Sequence, residues 1–194
     1  LAKLQQIESL AENINHNGFR SQALSSLAQT HIEFGNELQA ITLLKQSNHS
    51  TKNTQFALSK SEALQAIART VGELSDANKA AELLSNVLTV AQTMEEGRKL
   101  QILEAIARTY AQLSNLNRAA EILTNTLTVT QTIQDDIRKS DALQANAQNA
   151  GELSDVNQTA ELLTNALTVA QTIQKNEKSK DQMARNAPPK KKIH

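Results

Sequence analysis

The chain has 194 residues, with 20 basic and 20 acidic side chains, four histidines and no cysteine. The balanced charge gives its body no electrostatic attraction for nucleic acid or anionic lipid, and the missing thiols exclude disulfides and thiolate chemistry. No apolar run nears the roughly 20 residues of a membrane span, and no signal-peptide pattern is present; a soluble chain, cytoplasmic rather than secreted, is the expectation.

Only five glycines and two prolines occur, and the prolines stand together at the far end. The aromatics are Phe19, Phe34, Phe56 and Tyr110, so a core must be built from Leu, Ile, Val and Ala. That is the composition of closely packed helices. The chain opens on Leu1, not Met, which points to processing or to a piece of something longer.

Taken in order, the first stretch, about 1–14, carries Leu4, Ile7 and Ile14 in register, 80 residues back, with Leu84, Val87 and Met94. It reads as the second helix of a partial unit. A faint full unit follows at about 18–46, where Leu27-Ala28, Phe34, Ala40 and Leu43-Leu44 stand in the places later held by Ile67-Ala68, Leu74, Ala80 and Leu83-Leu84.

From there the repetition is plain. Glu62-Ala-Leu-Gln-Ala-Ile-Ala-Arg-Thr70 recurs as Gln101-Ile-Leu-Glu-Ala-Ile-Ala-Arg-Thr109, and Gly72-Glu-Leu-Ser-Asp76 as Gly151-Glu-Leu-Ser-Asp155. Ala81-Glu-Leu-Leu-Ser-Asn86 returns as Ala120-Glu-Ile-Leu-Thr-Asn125 and Ala160-Glu-Leu-Leu-Thr-Asn165. The step is 39 residues from Ile67 to Ile106 and 40 from Ile106 to Asn146. Units therefore fall at about 55–94, 97–133 and 137–174.

Each unit predicts two helices. Leu64, Ile67, Ala68, Val71 and Leu74 make the i, i+3, i+4, i+7 stripe of the first. After the polar break Ser75–Asn78, the stripe of the second runs Ala80, Leu83, Leu84, Val87, Leu88, Ala91. Asn78, Asn117 and Asn157 recur before it and are expected to be N-caps. So short a break makes the two helices antiparallel. Neither buries its stripe alone, so stability must come from stacked neighbours, at roughly 1.5–3 kcal/mol per fully buried large apolar side chain. In the fourth unit Asn146 and Thr159 take core-type places, which predicts a frayed or wetter end.

Beyond it, Met183 and Ala187 align with Leu143 and Ala147, predicting a partial unit at about 178–187 that Pro188-Pro189 ends. The tail 188–194 is basic. From Lys175 to His194 there are seven Lys/Arg against two Asp/Glu, a local excess of five positive charges. The tail looks superficially like a nuclear-import signal; a solvated terminus is the reading taken.

The pattern of large-then-small on the first helix, small opening the second and large four positions later resembles the tetratricopeptide (TPR) repeat family. Ile67-Ala68/Ala80/Leu84, Ile106-Ala107/Ala119/Leu123 and Leu27-Ala28/Ala40/Leu44 carry it, and Asn146-Ala147/Thr159/Leu163 carries it in part. The unit is longer than the family's 34 residues and lacks the usual proline near its end. The resemblance implies an all-α, right-handed α-solenoid of antiparallel helix pairs over 1–187. A HEAT- or armadillo-like stack is the alternative.

No catalytic constellation accompanies it. His16, His31, His49 and His194 make no metal-ligand spacing, and there is no G-x-S-x-G, P-loop or G-x-G-x-x-G. No enzyme activity, cofactor or metal is therefore expected. The acidic pairs Glu95-Glu96 and Asp135-Asp136 read as helix N-termini complementing the dipole. Gly72 and Gly151 share one repeat place, suited to close packing.

In TPR proteins the first helices line a concave groove. By that resemblance Ser25/Gln29, Gln65/Arg69, Glu104/Arg108 and Gln144/Gln148 would face a ligand, with Glu73, Gln112 and Glu152 one turn on. Arg69 and Arg108, from neighbouring units, would stand side by side, and arginine forks match carboxylates. The expected partner is a protein or peptide with an acidic side chain or a C-terminal carboxylate. Alternatively the array is a spacer or self-associating segment. The neutral body and scarce aromatics disfavour RNA binding.

Overall fold

In a computed structural model that describes residues 2–153 and 155–186, the chain is all-α. The helices are α1 (Ala2–Glu12), α2 (Asn17–Glu33), α3 (Glu37–Lys52), α4 (Ala57–Val71), α5 (Ala77–Ala91), α6 (Glu96–Gln112), α7 (Leu116–Thr132), α8 (Asp136–Gly151) and α9 (Val156–Asn186). Pairs α2/α3, α4/α5, α6/α7 and α8/α9 are the repeat units. First helices stack in one layer, α2 on α4, α4 on α6 and α6 on α8, and the second helices lie behind them. This is an α-solenoid. Ala187 and the tail 188–194 lie outside the described residues.

The large-small signature converges on the core. Ile67, Ala68, Ala80 and Leu84 are wholly buried, as are Ile106 and Ala119, with Ala107 and Leu123 nearly so. The first unit is built differently where its helices cross. Ser21, Ser25 and Ser47 are buried there, the Ser47 hydroxyl lying 2.8 Å from those of Ser21 and Ser25. Small hydroxyls let α2 and α3 approach closely while satisfying one another. Between α5 and α7 stands Tyr110 of α6, buried, its hydroxyl donating to the Ala81 carbonyl at 3.4 Å.

Helix ends follow local chemistry. The second helices are capped two residues earlier than the recurring asparagines suggest. Asp76 accepts from the Asn78 and Lys79 amides, Asn115 from Arg118 N, and Asp155 from the Asn157 and Gln158 amides. Asn78, Asn117 and Asn157 instead lie in the first turn, and Asn117 accepts a 2.7 Å bond from Gln158 of the next unit. Asp135 caps α8 through the Arg138 amide at 2.9 Å. First helices α2 and α6 end on residues in the left-handed region, Gly35 at φ 72° and Ser114 at φ 57°. Beyond each, the next amide returns to a carbonyl of the last turn, Asn36 N to His31 O and Asn115 N to Tyr110 O.

The far end departs most from expectation. No break separates 174 from 178, and α9 continues as one helix to Asn186. The place that precedes first helices α4, α6 and α8, held by Phe56, Glu95 and Asp135, falls on Lys175, and there the helix runs on without a turn. Asn146 stands where Ile67 and Ile106 do and is fully buried, donating to the Leu123 carbonyl at 2.9 Å while its Oδ1 stays unpartnered. Thr159 donates toward the Ala150 carbonyl at 3.1 Å.

Candidate functional site

The face made by the first helices carries the charged residues that sequence singles out. Their identical repeat positions make cross-unit pairs comparable. Gln29, Arg69 and Arg108 share one place, and Glu73, Gln112 and Glu152 share another in the following unit.

At the first junction, Gln29 Nε2 donates to Glu73 Oε1 at 3.4 Å. At the third, Arg108 Nη2 donates to Asn149 Oδ1 at 3.0 Å and its Nε lies 3.9 Å from Glu152 Oε2. The middle junction breaks the pattern. Gln112 replaces the carboxylate, and Thr109 stands where Asn149 does, its hydroxyl directed to the Ala68 and Ala105 carbonyls at 3.0 and 2.9 Å. Arg69 is exposed and makes no hydrogen bond or ion pair with the described residues. Both of its would-be acceptors have been replaced or turned away.

Arg69 shares a depression of about 490 Å³ between α4 and α6 with Gln65, Glu73, Glu104, Arg108 and Gln112; Gln101, Ala105 and Thr109 complete the lining. Gly72 borders it closely, since a Cβ there would lie 2.8 Å from Gln112 Oε1. Gln65 is half-buried and donates to the Ser61 hydroxyl at 3.2 Å. Glu104 is half-buried and accepts no hydrogen bond from the described residues. Burial pushes its carboxyl above the ordinary value, against the opposing pull of Arg108. Burial and the charge of Glu33 also raise Glu73.

The depression thus holds an unpaired cation and a partly desolvated acid, which together can accept a ligand bearing both a carboxylate and an N–H donor. Arg69 and Arg108 do line one depression, but Arg108 is engaged by the next unit.

Two residues, Ser25 and Gln144, are placed differently from the sequence reading. Ser25 is buried against Ser47 and faces α3. Gln144 lines a separate depression, about 790 Å³, between α8 and α9. Gln148 is exposed on α8. The missed residue is Asn149, which holds Arg108. Its repeat equivalents are threonines, so its role shows only across a unit boundary. Among the described residues no group of three His, Cys, Asp or Glu is placed to hold a metal ion, and no helix is long and apolar enough to cross a membrane.

No protein-family model matches the sequence, and no curated protein is similar to it. Among solved structures, the crystal structure of a Podosopora anserina kinesin light chain with nearly identical TPR-like repeats is similar, with a TM-score of 0.51 and 19% identity over 88% of this chain and 85% of that one.

Proposed function

The chain has a TPR-like repeat fold, and from that premise we propose that it is a binding scaffold, holding an extended peptide of a partner protein across its first helices. The observation that carries this reading is the unpaired Arg69 in a register where its equivalents are paired. A guanidinium with free donors is a bidentate receptor for a carboxylate, from an acidic side chain or a C-terminus. Glu104, short of a donor, favours a backbone N–H or a basic side chain nearby. The fit is to a segment with both, which an extended peptide supplies and a small anion does not.

The reading is tested by selecting a displayed library of random peptides with free C-termini on the immobilised chain. Enrichment of peptides with an acidic residue or a required terminal carboxylate, lost on Arg69→Glu, is expected. Enrichment that is indifferent to Arg69, or none at all, refutes it.

A further inference from the structure

Resting on the reading of this face as a peptide groove, we propose that Glu104 is its second anchor and selects a lysine or arginine two or three residues from the ligand's carboxylate. Arg69 and Glu104 stand on neighbouring first helices, at repeat places one helical turn apart, and line the same depression. Stacked helices lie about 8–10 Å apart and one turn adds about 5–6 Å along the axis, which sets the two roughly 10 Å apart at their backbones. An extended chain covers that span in about two to three residues. The ammonium and carboxylate of a single amino acid, both on one carbon, do not reach across it.

The charge at this place belongs to one unit. Its repeat equivalents are Ser25, Gln65 and Gln144, all neutral, so the stacking of units does not call for a carboxylate there. Glu104 is half-buried and accepts no hydrogen bond from the described residues. Arg108, one turn on, acts on it through its charge, but that guanidinium is turned to Asn149 and Glu152 of α8. A carboxylate part-way out of water and short of donors is satisfied better by a cation than by a neutral N–H. The rest of the depression enforces the choice. Glu73 lines it too, already burdened by the like charge of Glu33, so a run of acidic residues would set carboxylate against carboxylate. One negative group with one positive group beside it is the charge pattern that fits.

The peptide selection, run in parallel on the wild type, Glu104→Gln and Glu104→Lys, tests this, with circular dichroism to check that both variants keep their helices. On the wild-type chain lysine or arginine should be enriched about 3- to 10-fold at two or three residues from the required carboxylate. Glu104→Gln should bring that enrichment within about 2-fold of the unselected pool, with the acidic requirement intact. Glu104→Lys should replace the base with aspartate or glutamate. Pools with free and with amidated C-termini tell a terminal carboxylate from an acidic side chain, and the base is expected beside either. A basic preference that is missing, that survives Glu104→Gln, or that vanishes with Glu73→Gln instead, overturns the second anchor and leaves the groove standing. A wild-type pool with no acidic requirement refutes the groove itself, and the second anchor with it.

Discussion

At the junction of the second and third units, Leu84 and Leu88 of α5 lie buried beneath α6; at the end of the fourth, Leu163 and Leu167 hold the same repeat positions on α9 and stay exposed. The groove side makes a parallel contrast. Arg108, at the third junction, is held by Asn149 and Glu152, while Arg69, at the second, faces Gln112 and a threonine already committed elsewhere. In both cases nearly identical residues differ in role because of what the next unit brings to them. In a repeat protein a residue's contribution is set by its neighbour across the boundary as much as by its own identity.

The packing half of this contrast should give the largest effect. Leu84→Ala opens a cavity in a closed interface and should lower stability by about 2–5 kcal/mol. Leu163→Ala, at the equivalent exposed position, should cost about 1 kcal/mol or less. Urea unfolding at low protein concentration measures both, and equal losses would erase the distinction between middle and end. Next in size is the placement of the caps. Asp76→Ala should cost about 1 kcal/mol, while Asn78→Ala, two residues into the helix, should stay within about 0.5 kcal/mol.

The smallest effect concerns the depression itself. A carboxyl whose folded-state value is raised holds its proton more tightly folded than unfolded. Its favourable contribution is complete below the ordinary glutamate range and is lost as pH rises from there through the raised value. Glu104→Gln should therefore gain on the wild type as pH climbs through that window, and hold a level advantage above it. An advantage that shrinks with rising pH would mean that Glu104 is stabilised by charge, not burdened by burial.

Most of the helix pairs were legible in sequence, because apolar spacing and internal repetition are properties of a single unit. The signature positions could be named for the same reason. Cap placement was not. Asn78, Asn117 and Asn157 are identical and attract the eye, whereas the true caps, Asp76, Asn115 and Asp155, alternate between two residue types with the same acceptor chemistry. The unbroken α9 was also hidden, since residues 174–178 are all helix-compatible and no glycine or proline marks where the helix stops or goes on. The state of Arg69 was the least visible, resting as it does on a substitution 43 residues away, Gln112 for a glutamate, which no single-unit pattern contains.

That last point carries the functional account, and one binding measurement tests it. A peptide enriched on the wild-type chain is labelled, and its affinity is measured for Arg69→Gln and Arg108→Gln by fluorescence anisotropy. Loss of a charge-assisted bidentate contact at Arg69 should weaken binding about 10-fold or more. Arg108→Gln, removing a side chain already held within the protein, should change it by less than about 3-fold. Equal losses at the two arginines, or a larger one at Arg108, would contradict the claim that Arg69 is the free anchor of the groove.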